Sequence, residues 1–380
     1  MTNTVTIHTL PGSTDTDGAG ESLRDIIEAG LVGGPRTVPG ERDEDEAWAY
    51  TRTVSPLIHY DADGLKLFDQ ITVDNPSYYP FHDELGIFKA HGAEIAAAVG
   101  FSSASPDAVA RGFDVVELGA GALRKTAYLL QAFADALPPS PNPTPLSYYA
   151  LDLSKPELER VLGDLDAGYG AALARVSRVG LHADYDAGLK LAAEGKLAAL
   201  SGGDAARPHH FAFIGTSLGN FSREDAGKFL ASIPLRAGVD KLVLGLDGRP
   251  EPGEAGRRKV ETAYNDPAGK GRAFEEHGWV VVRRELGLAP DTSIEWANRY
   301  NEPLGRHECY YRVKEEQTLH LPNRGVDVHL AKGELLHVEW SIKWAHDEAV
   351  ELFTRAGLRV VQSWKAPTSE YRVWVLEKAE

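Results

Sequence analysis

Hydrophobic positions in the middle of the chain form short runs, and longer amphipathic segments separate them. The runs lie at 113–118, 147–151, 176–181, 211–214 and 241–246. Apolar runs of this length are typical of buried strands, and the segments between them have the length and pattern of helices. This alternation predicts an α/β fold with a parallel central sheet.

The pattern changes after Asp247. Residues 265–335 combine apolar runs with charged loops, which favours β-rich hairpins. Residues 346–356 predict a helix, and the segments 335–344 and 371–376 on either side of it are predicted to complete the main sheet.

The first 59 residues differ from the rest. Residues 1–20 are rich in Thr, Gly and Asp, which is typical of a loose arm. Residues 21–29 predict a short helix, and the polar residues 33–45 predict a connector. From Tyr60 the pattern becomes more specific, and a helix over 84–99 is predicted to lead into the first core strand.

Two glycines follow the first core strand in the turn Gly119-Ala120-Gly121, and a helix is predicted from Ala122 onwards. Glycine allows a sharp turn and close approach of a ligand, and the helix N-terminus offers unpaired N–H groups. This is the geometry of a nucleotide-type cofactor site. Arg124 stands where the dinucleotide pattern G-x-G-x-x-G needs glycine. Glu117, two residues before Gly119, makes the motif E-L-G-A-G, typical of S-adenosyl-L-methionine (SAM) methyltransferases, although a plain tight turn is the alternative.

Acidic residues end the next two strands. Asp152 follows the second strand, where a carboxylate is well placed to accept hydrogen bonds from ribose hydroxyls. Its alternative role is that of a helix-start carboxylate. Asp184 and Tyr185 follow the third strand, where they would suit the exocyclic amine of an adenine.

Composition narrows the class of protein. A net charge of −16 argues against nucleic acid or an anionic membrane as the main partner. The one cysteine, Cys309, excludes an internal disulfide framework. We find no apolar stretch long enough to span a membrane and no secretory leader, so we expect a cytoplasmic protein. The histidines are scattered, so no metal site is predicted, and no covalent nucleophile is evident. These features fit methyl transfer, in which alignment of donor and acceptor can do most of the work.

Several longer motifs together carry a family resemblance from Tyr60 to the C-terminus. They are YDADGLKLFDQIT, SYYP, VVELGAGALRKT, GTSLGNF, AYNDPAG, RREL and HVEWSIKW. The chain resembles the histidine-specific SAM-dependent methyltransferases of ergothioneine synthesis, whose fungal relatives include tryptophan and 4-dimethylallyltryptophan N-methyltransferases.

The resemblance implies a Rossmann-like class I SAM methyltransferase sheet with a second, smaller substrate-binding α+β domain. It places an N-terminal arm and connector at 1–59, the substrate-binding domain at 60–100 plus 265–335, and the SAM-binding core at 101–264 plus 336–380. The implied activity is N-methylation of the α-amine of a free aromatic amino acid, with L-histidine first. A small amino acid is therefore the expected partner.

The resemblance also implies roles for individual residues. The implied cofactor-binding residues are Glu117, Gly119, Gly121, Lys125, Asp152, Asp184 and Tyr185. The implied catalytic residues are Tyr60, Asn220 and Tyr264. The implied substrate-binding residues are Phe68, Tyr78, Gly215, Asn220, Tyr264, Glu339 and Ser341. In this set Glu339 and Ser341 match the pair that holds the imidazole in the histidine enzymes, because a carboxylate and a hydroxyl can bond both ring nitrogens.

Ring specificity stays open at this point. Many bacterial members have methionine where this chain has Cys309, and the segment NEPLGRHECYY is closer to the fungal branch. Glu339 favours histidine, because an unpaired carboxylate facing an apolar indole would be costly. The alternatives are a tryptophan or 4-dimethylallyltryptophan N-methyltransferase and, outside enzymes, a catalytically silent SAM-binding protein.

Overall fold

The structure is a computed structural model that describes residues 6–11, 22–33, 45–121, 123–204, 206–289 and 293–380. The helices are α1 (Leu23–Val32), α2 (Ala62–Asp74), α3 (Tyr79–Val99), α4 (Pro106–Arg111), α5 (Arg124–Ala136), α6 (Lys155–Tyr169), α7 (Tyr185–Ala193), α8 (Leu197–Ser201), α9 (Arg223–Ser232), α10 (Glu254–Tyr264), α11 (Lys270–Leu286) and α12 (His346–Arg355). The strands are β1 (Thr6–Thr9), β2 (Arg52–Thr53), β3 (Phe113–Leu118), β4 (Leu146–Asp152), β5 (Val176–His182), β6 (His209–Phe213), β7 (Lys241–Leu246), β8 (Ile294–Asn301), β9 (Arg306–Val313), β10 (Gln317–Leu321), β11 (Val326–Leu330), β12 (Leu335–Ile342), β13 (Leu358–Lys365) and β14 (Arg372–Lys378).

The larger sheet has the strand order β1-β5-β4-β3-β6-β7-β14-β13. Six of its strands run parallel to one another: β1, β5, β4, β3, β6 and β7. Strand β14 is antiparallel to β7, and β13 is antiparallel to β14. The chain leaves β3 for β4 on one side and later returns to β6 on the other. The strand order therefore reverses beside β3, and ligands of open α/β sheets bind outside the carboxyl ends of the strands at such a point.

Helices cover both faces of this sheet. On one face α3, α5 and α6 contribute Phe88, Phe133 and Leu158 to an apolar cluster. On the other face α7, α9 and α12 contribute Leu189, Leu230 and Leu352 to a second cluster. Burial on both faces explains why β3 is continuously apolar apart from two acidic residues and why its position was readable from the sequence.

A smaller sheet, in the order β2-β12-β9-β8, forms a second layer with α1 and α11. Its core includes Leu31 from α1, Trp279 from α11 and Tyr311 from β9. The hairpin of β10 and β11 adds Leu319 and Leu330 to this core.

Two strand predictions are wrong, and one strand was not predicted. The stretch HGWVVVRREL was assigned to β-rich material, but it belongs to α11, because Trp279, Val282 and Leu286 recur on one helical face and are buried. Segment 335–344 does not complete the main sheet; Leu335–Ile342 pairs with β9 and β2 instead. Leu358–Lys365, which the pattern did not single out, takes the edge position of the main sheet.

The N-terminal residues are also more structured than predicted. Thr6–Thr9 is an edge strand paired with β5, so the prediction of a loose arm over 1–20 is wrong for these residues. The remaining parts of 1–20, and most of the predicted connector at 33–45, lie outside the described residues.

The predicted domain division assigned residues 60–100 to the smaller domain. In the structure Tyr79–Val99 packs on the larger sheet through Ile87, Phe88 and Ile95.

Candidate active site

The turn after β3 needs glycine at its first position. Gly119 has φ +72°, and a Cβ there would lie 2.7 Å from the hydroxyl of Tyr185. The N–H groups of Gly119 and Ala120 donate to the carbonyl of Leu151 at 3.0 and 3.1 Å, which ties the turn to the end of β4. At Gly121, with φ +49°, no atom of the described residues, apart from its neighbours in the chain, lies within 4 Å of the Cβ position. The turn is therefore tight on its Tyr185 side and open at Gly121.

Glu117 lies directly beneath this turn. Its carboxylate accepts hydrogen bonds from the hydroxyls of Tyr148 at 2.5 Å and Thr126 at 2.9 Å. Burial raises the pKa of Glu117 to about 8, although both hydrogen bonds oppose the increase. The structure thus places Glu117 where it supports the turn from inside, and its predicted contact with the cofactor stays a prediction.

Asp152 and Asp184 end neighbouring strands on the same side of the turn. Asp152 accepts the N–H of Ser154 at 2.9 Å and is half-buried, and burial raises its pKa. Asp184 caps α7 by accepting the N–H of Ala187 at 2.8 Å. The backbone N–H groups of Gly121 and Leu153 also bond to Asp152. A carboxylate has about four lone-pair sites, so each side chain keeps acceptor capacity for a ligand. The pKa of Tyr185 is raised by burial and by the nearby charge of Asp152.

Lys125 has a partner that the sequence did not indicate. Its ammonium forms an ion pair with Glu84 of α3, whose side chain is fully buried. Glu84 also accepts the N–H of Gly215 at 3.1 Å and the hydroxyl of Tyr371 at 2.7 Å. Glu84 therefore joins the start of α5 to the turn after β6. A glutamate on a mixed helix gives no sequence signal for this role, because its burial depends on three distant donors, Lys125, Gly215 and Tyr371.

A second group of polar side chains lies between β7, α10 and β12. Lys343 is fully buried and its Nζ lies 2.8 Å from Asp247 Oδ2, 2.7 Å from the Tyr264 hydroxyl and 3.0 Å from Ser341 Oγ. The Tyr264 hydroxyl donates to Ser341 Oγ at 2.9 Å. Of these four, the sequence predicted Tyr264 and Ser341 as site residues and missed Lys343 and Asp247.

The register of the smaller sheet puts Glu339 opposite Cys309 and Ser341 opposite His307. Glu339 and Ser341 are two residues apart on one strand and share a face. Burial raises the pKa of Glu339 to about 7, while the charge of Lys343 opposes the increase. Half-buried Glu339 accepts no hydrogen bond from any of the residues that the structure describes, so its carboxylate has capacity for a ligand.

Cys309 is a buried free thiol. Its Sγ–H donates to Glu275 at 3.0 Å, and the indole N–H of Trp296 donates to the sulfur at 3.1 Å. Burial raises the pKa of the Cys309 thiol and that of the Glu275 carboxyl, and the charge of Glu339 adds to both shifts. Glu275 lies on α11, which was predicted as strand, and this error hid it.

Aromatic rings form one wall of the site. The rings of Phe68 and Tyr78 meet edge-on with their centroids 6.2 Å apart. The rings of Tyr78 and Tyr264 also meet edge-on, with centroids 5.8 Å apart. Phe274 extends the wall, 5.7 Å from Phe68. Three of these rings were predicted from the resemblance, whereas Phe274 was not, because it lies on the misassigned helix.

Tyr60 lies between Asp152 and Tyr185 on one side and Glu339 on the other. Enclosure by protein raises the pKa of its hydroxyl, and Glu339, Tyr185 and Asp152 add to the increase. The residue is nevertheless 50% exposed. The Tyr60 hydroxyl thus lies within electrostatic reach of Asp152 and Tyr185 on one side and of Glu339 on the other, and we refer to the space between these residues as the cleft.

Asn220 is exposed at the end of the short turn Ser217–Asn220. The preceding Gly219 packs on β12, where an added Cβ would lie 3.0 Å from the carbonyl of Ile342 and 3.5 Å from Ser341 Oγ. The turn therefore brings Asn220 next to the Ser341 end of the cleft. Gly215, the other predicted residue of this loop, donates its backbone N–H to Glu84, as described above.

Two negative findings concern the described ranges alone. No cluster of three His, Cys, Asp or Glu side chains there is arranged to hold a metal ion. No helix there has the length and apolar character needed to cross a membrane.

Comparison with known proteins gives the family. The family model described as histidine-specific methyltransferase, SAM-dependent, matches residues 42–378. The chain therefore belongs to the histidine-specific SAM-dependent methyltransferases, as the motifs indicated. It is a SAM-dependent N-methyltransferase, and its main sheet is Rossmann-like, with a largely parallel strand order that reverses beside β3.

Individual relatives differ in the substrate that their names give. The chain is 31% identical to an L-tryptophan methyltransferase of Psilocybe serbica over 371 residues, covering 95% of this chain and 94% of the relative. It is 30% identical to a histidine N-alpha-methyltransferase of Mycolicibacterium smegmatis over 368 residues, covering 93% and 94%. It is 28% identical to a 4-dimethylallyltryptophan N-methyltransferase of Trichophyton verrucosum over 353 residues, covering 90% of each.

The residues around the glycine turn fit SAM. Gly119 leaves no room for a side chain beside Tyr185, whereas the space at Gly121 is open to a ligand. Asp152 offers a carboxylate oxygen at the end of β4, where ribose hydroxyls lie in this type of sheet.

Proposed function

We propose that the protein transfers a methyl group from SAM to the α-amine of free L-histidine. The observation that supports this most is the pairing of Glu339, which has unused acceptor capacity, with Ser341 on the same face of β12. A carboxylate and a hydroxyl at this spacing offer partners to both nitrogens of an imidazole.

The proposed roles follow the cleft from one end to the other. Asp152, Asp184 and Tyr185, with the glycine turn, would hold SAM, which when bound supplies a methyl group on a sulfonium sulfur. Asn220 and Tyr264 would hold the amino and carboxylate groups of the amino acid. Tyr60, which lies between the proposed SAM-binding residues and the proposed amino-acid-binding residues, would orient the α-amine.

The amine must be neutral to attack the methyl carbon, so its proton passes to a nearby acceptor or to water. The new nitrogen–carbon bond would form as the carbon–sulfur bond breaks, and S-adenosylhomocysteine would leave. The pKa of Tyr60 is raised, so its hydroxyl stays protonated and orients the amine through an oxygen lone pair. The aromatic wall of Phe68 and Tyr78 limits water around the amine. Alignment of amine and methyl group in such a cleft is the main source of rate enhancement that we propose.

The second candidate is methylation of a tryptophan-type amino acid. Its support is the identity of 31% with the tryptophan enzyme and 28% with the 4-dimethylallyltryptophan enzyme, compared with 30% for the histidine enzyme. An indole has one N–H and no ring acceptor, so it would leave Ser341 without a ring partner. Binding of histidine, tryptophan and 4-dimethylallyltryptophan, each measured by calorimetry with S-adenosylhomocysteine present, tests the proposal. Histidine is expected to bind most tightly, and preference for either indole would contradict it.

Asn220→Ala is expected to weaken histidine binding by roughly tenfold or more, because it removes one side chain that holds the amino acid. SAM affinity should stay at the wild-type value, since the cofactor residues lie at the other end of the cleft. Calorimetric titration of each ligand measures both effects. Asn142→Ala, in a loop at the opposite end of the strands, is the control. If Asn220→Ala unfolds or loses SAM affinity, Asn220 is a structural turn residue.

Histidine binding is expected to tighten as pH rises through about 7, the pKa of Glu339. Below this pH the carboxyl is protonated and loses its charge as an acceptor; above it the carboxylate is ionised. The ratio of wild-type to Glu339→Gln affinity, measured between about pH 6 and 8, isolates the effect, because ionisation of free histidine near pH 6.5 is common to both proteins. A ratio that does not change with pH would show that Glu339 does not contact the ring.

A further inference from the structure

The ammonium group of Lys343 determines the direction of every hydrogen bond around it. Lys343 has three N–H donors and no acceptor. Its three neighbours at hydrogen-bond distance are Asp247, Tyr264 and Ser341. All three bonds must therefore be donated by Lys343, and each neighbour must accept.

The hydroxyl of Tyr264 sets the arrangement at Ser341. The Tyr264 oxygen accepts from Lys343, and its O–H donates to Ser341 Oγ at 2.9 Å. Ser341 Oγ then accepts two hydrogen bonds, one from Tyr264 and one from Lys343. A hydroxyl oxygen has two lone pairs, so both are used. The hydrogen of Ser341 has to point away from this group, and no described residue accepts it.

The rest of the network holds this arrangement in place. Asp247 neutralises Lys343 and also accepts the hydroxyl of Tyr79 at 2.7 Å. His307 stacks on Tyr264 with ring centroids 4.0 Å apart, and burial lowers its pKa so that it stays neutral. The network thus contains a single buried cation, Lys343, with its counter-ion.

We propose that Lys343 is a positioning residue that makes Ser341 a hydrogen-bond donor towards the substrate's ring, so that the site takes a neutral azole in one tautomer. This rests on the proposed function. Ionised Glu339 only accepts hydrogen bonds, so the pair presents one acceptor and one donor. A neutral imidazole matches, with one N–H and one lone-pair nitrogen. An imidazolium has two N–H groups, and an indole has no ring acceptor.

The direct test is nitrogen NMR of histidine labelled with ¹⁵N at both ring positions, bound to the protein with S-adenosylhomocysteine. The expected spectrum has one ring nitrogen with a one-bond proton coupling and one without. Two protonated ring nitrogens would overturn the proposal while leaving histidine as the substrate. Failure of histidine to bind would overturn the proposed function, and this assignment with it.

The role of Lys343 itself is tested by the double variant Lys343→Met/Asp247→Asn, which removes both buried charges together. Histidine affinity is expected to fall roughly tenfold or more while SAM affinity is kept. The matched control is Lys241→Met/Glu377→Gln, another ion pair, which joins β7 to β14 with Nζ and carboxylate oxygen 2.6 Å apart. Loss of SAM and histidine affinity together would show a merely structural role and overturn the proposal.

A mutant cycle that combines Ser341→Ala with the double variant compares losses of histidine affinity, and it keeps the test decisive if the double variant is less stable. If Lys343 acts through Ser341, adding Ser341→Ala to the double variant should weaken histidine binding little further. Fully additive losses would show that Lys343 and Ser341 act independently, which would overturn the proposal.

Discussion

Replacing Glu339 by alanine is expected to reduce kcat/KM for histidine by roughly ten- to over a hundredfold. A hydrogen bond to a charged group contributes about 1.5–3 kcal/mol, and each 1.4 kcal/mol corresponds to about tenfold. The half-buried carboxylate has no hydrogen-bond partner in the described parts of the chain, so its loss leaves no other group unsatisfied. Stability should therefore change little, and steady-state kinetics with histidine measures the effect.

The same variant is expected to admit tryptophan more easily, because a buried charge no longer faces the ring. Glu295→Ala on β8 of the same sheet is the matched control and should leave both substrates unaffected. If the wild-type protein prefers tryptophan and Glu339→Ala leaves its kinetics unchanged, Glu339 points away from the ring. The tryptophan-type function then replaces the histidine proposal.

Gly119→Val is expected to weaken SAM binding by roughly tenfold or more. Gly119 has φ +72°, which is unfavourable for a β-branched residue, and its Cβ would lie 2.7 Å from the Tyr185 hydroxyl. The turn or Tyr185 must therefore move, and both line the cofactor end of the cleft. Calorimetric titration with SAM measures the loss.

Gly163→Val in α6 is the control, since no atom outside its own helix lies within 4 Å of the Cβ position there. It should bind SAM with wild-type affinity. A folded Gly119→Val protein that also binds SAM normally would contradict the assignment of this turn to the cofactor.

The parts of the fold that the sequence predicted well are those with a strong local pattern. Strands β3 and β7 are apolar runs buried on both faces, so their positions follow from hydrophobicity alone. The glycine turn follows from backbone geometry that few other residues tolerate. These features predicted the position of the turn that we propose as the cofactor end of the cleft.

The errors have a common physical origin in tertiary packing. Consecutive valines at 280–282 favour a strand locally, yet α11 forms because its neighbours Trp279 and Leu286 bury one helical face. Strand β12 is amphipathic enough to fit either sheet, and pairing with β9 decides between them.

The missed site residues have the same explanation. Glu84, Asp247 and Lys343 are charged side chains that sequence reasoning assigns to the surface, where such residues usually lie. Each is fully or almost fully buried because partners distant in the sequence satisfy it. The family motifs did include Lys343, in HVEWSIKW, but only the structure gives it a partner in Asp247.

The central claim is methylation of the α-amine of histidine, and product mass tests it most directly. The purified protein is incubated with SAM and, separately, with histidine, tryptophan and 4-dimethylallyltryptophan, and each product is analysed by mass spectrometry. The account predicts that histidine gains the mass of one or more methyl groups and that fragmentation places them on the α-amine. Methylation of tryptophan or 4-dimethylallyltryptophan with histidine unchanged would contradict it.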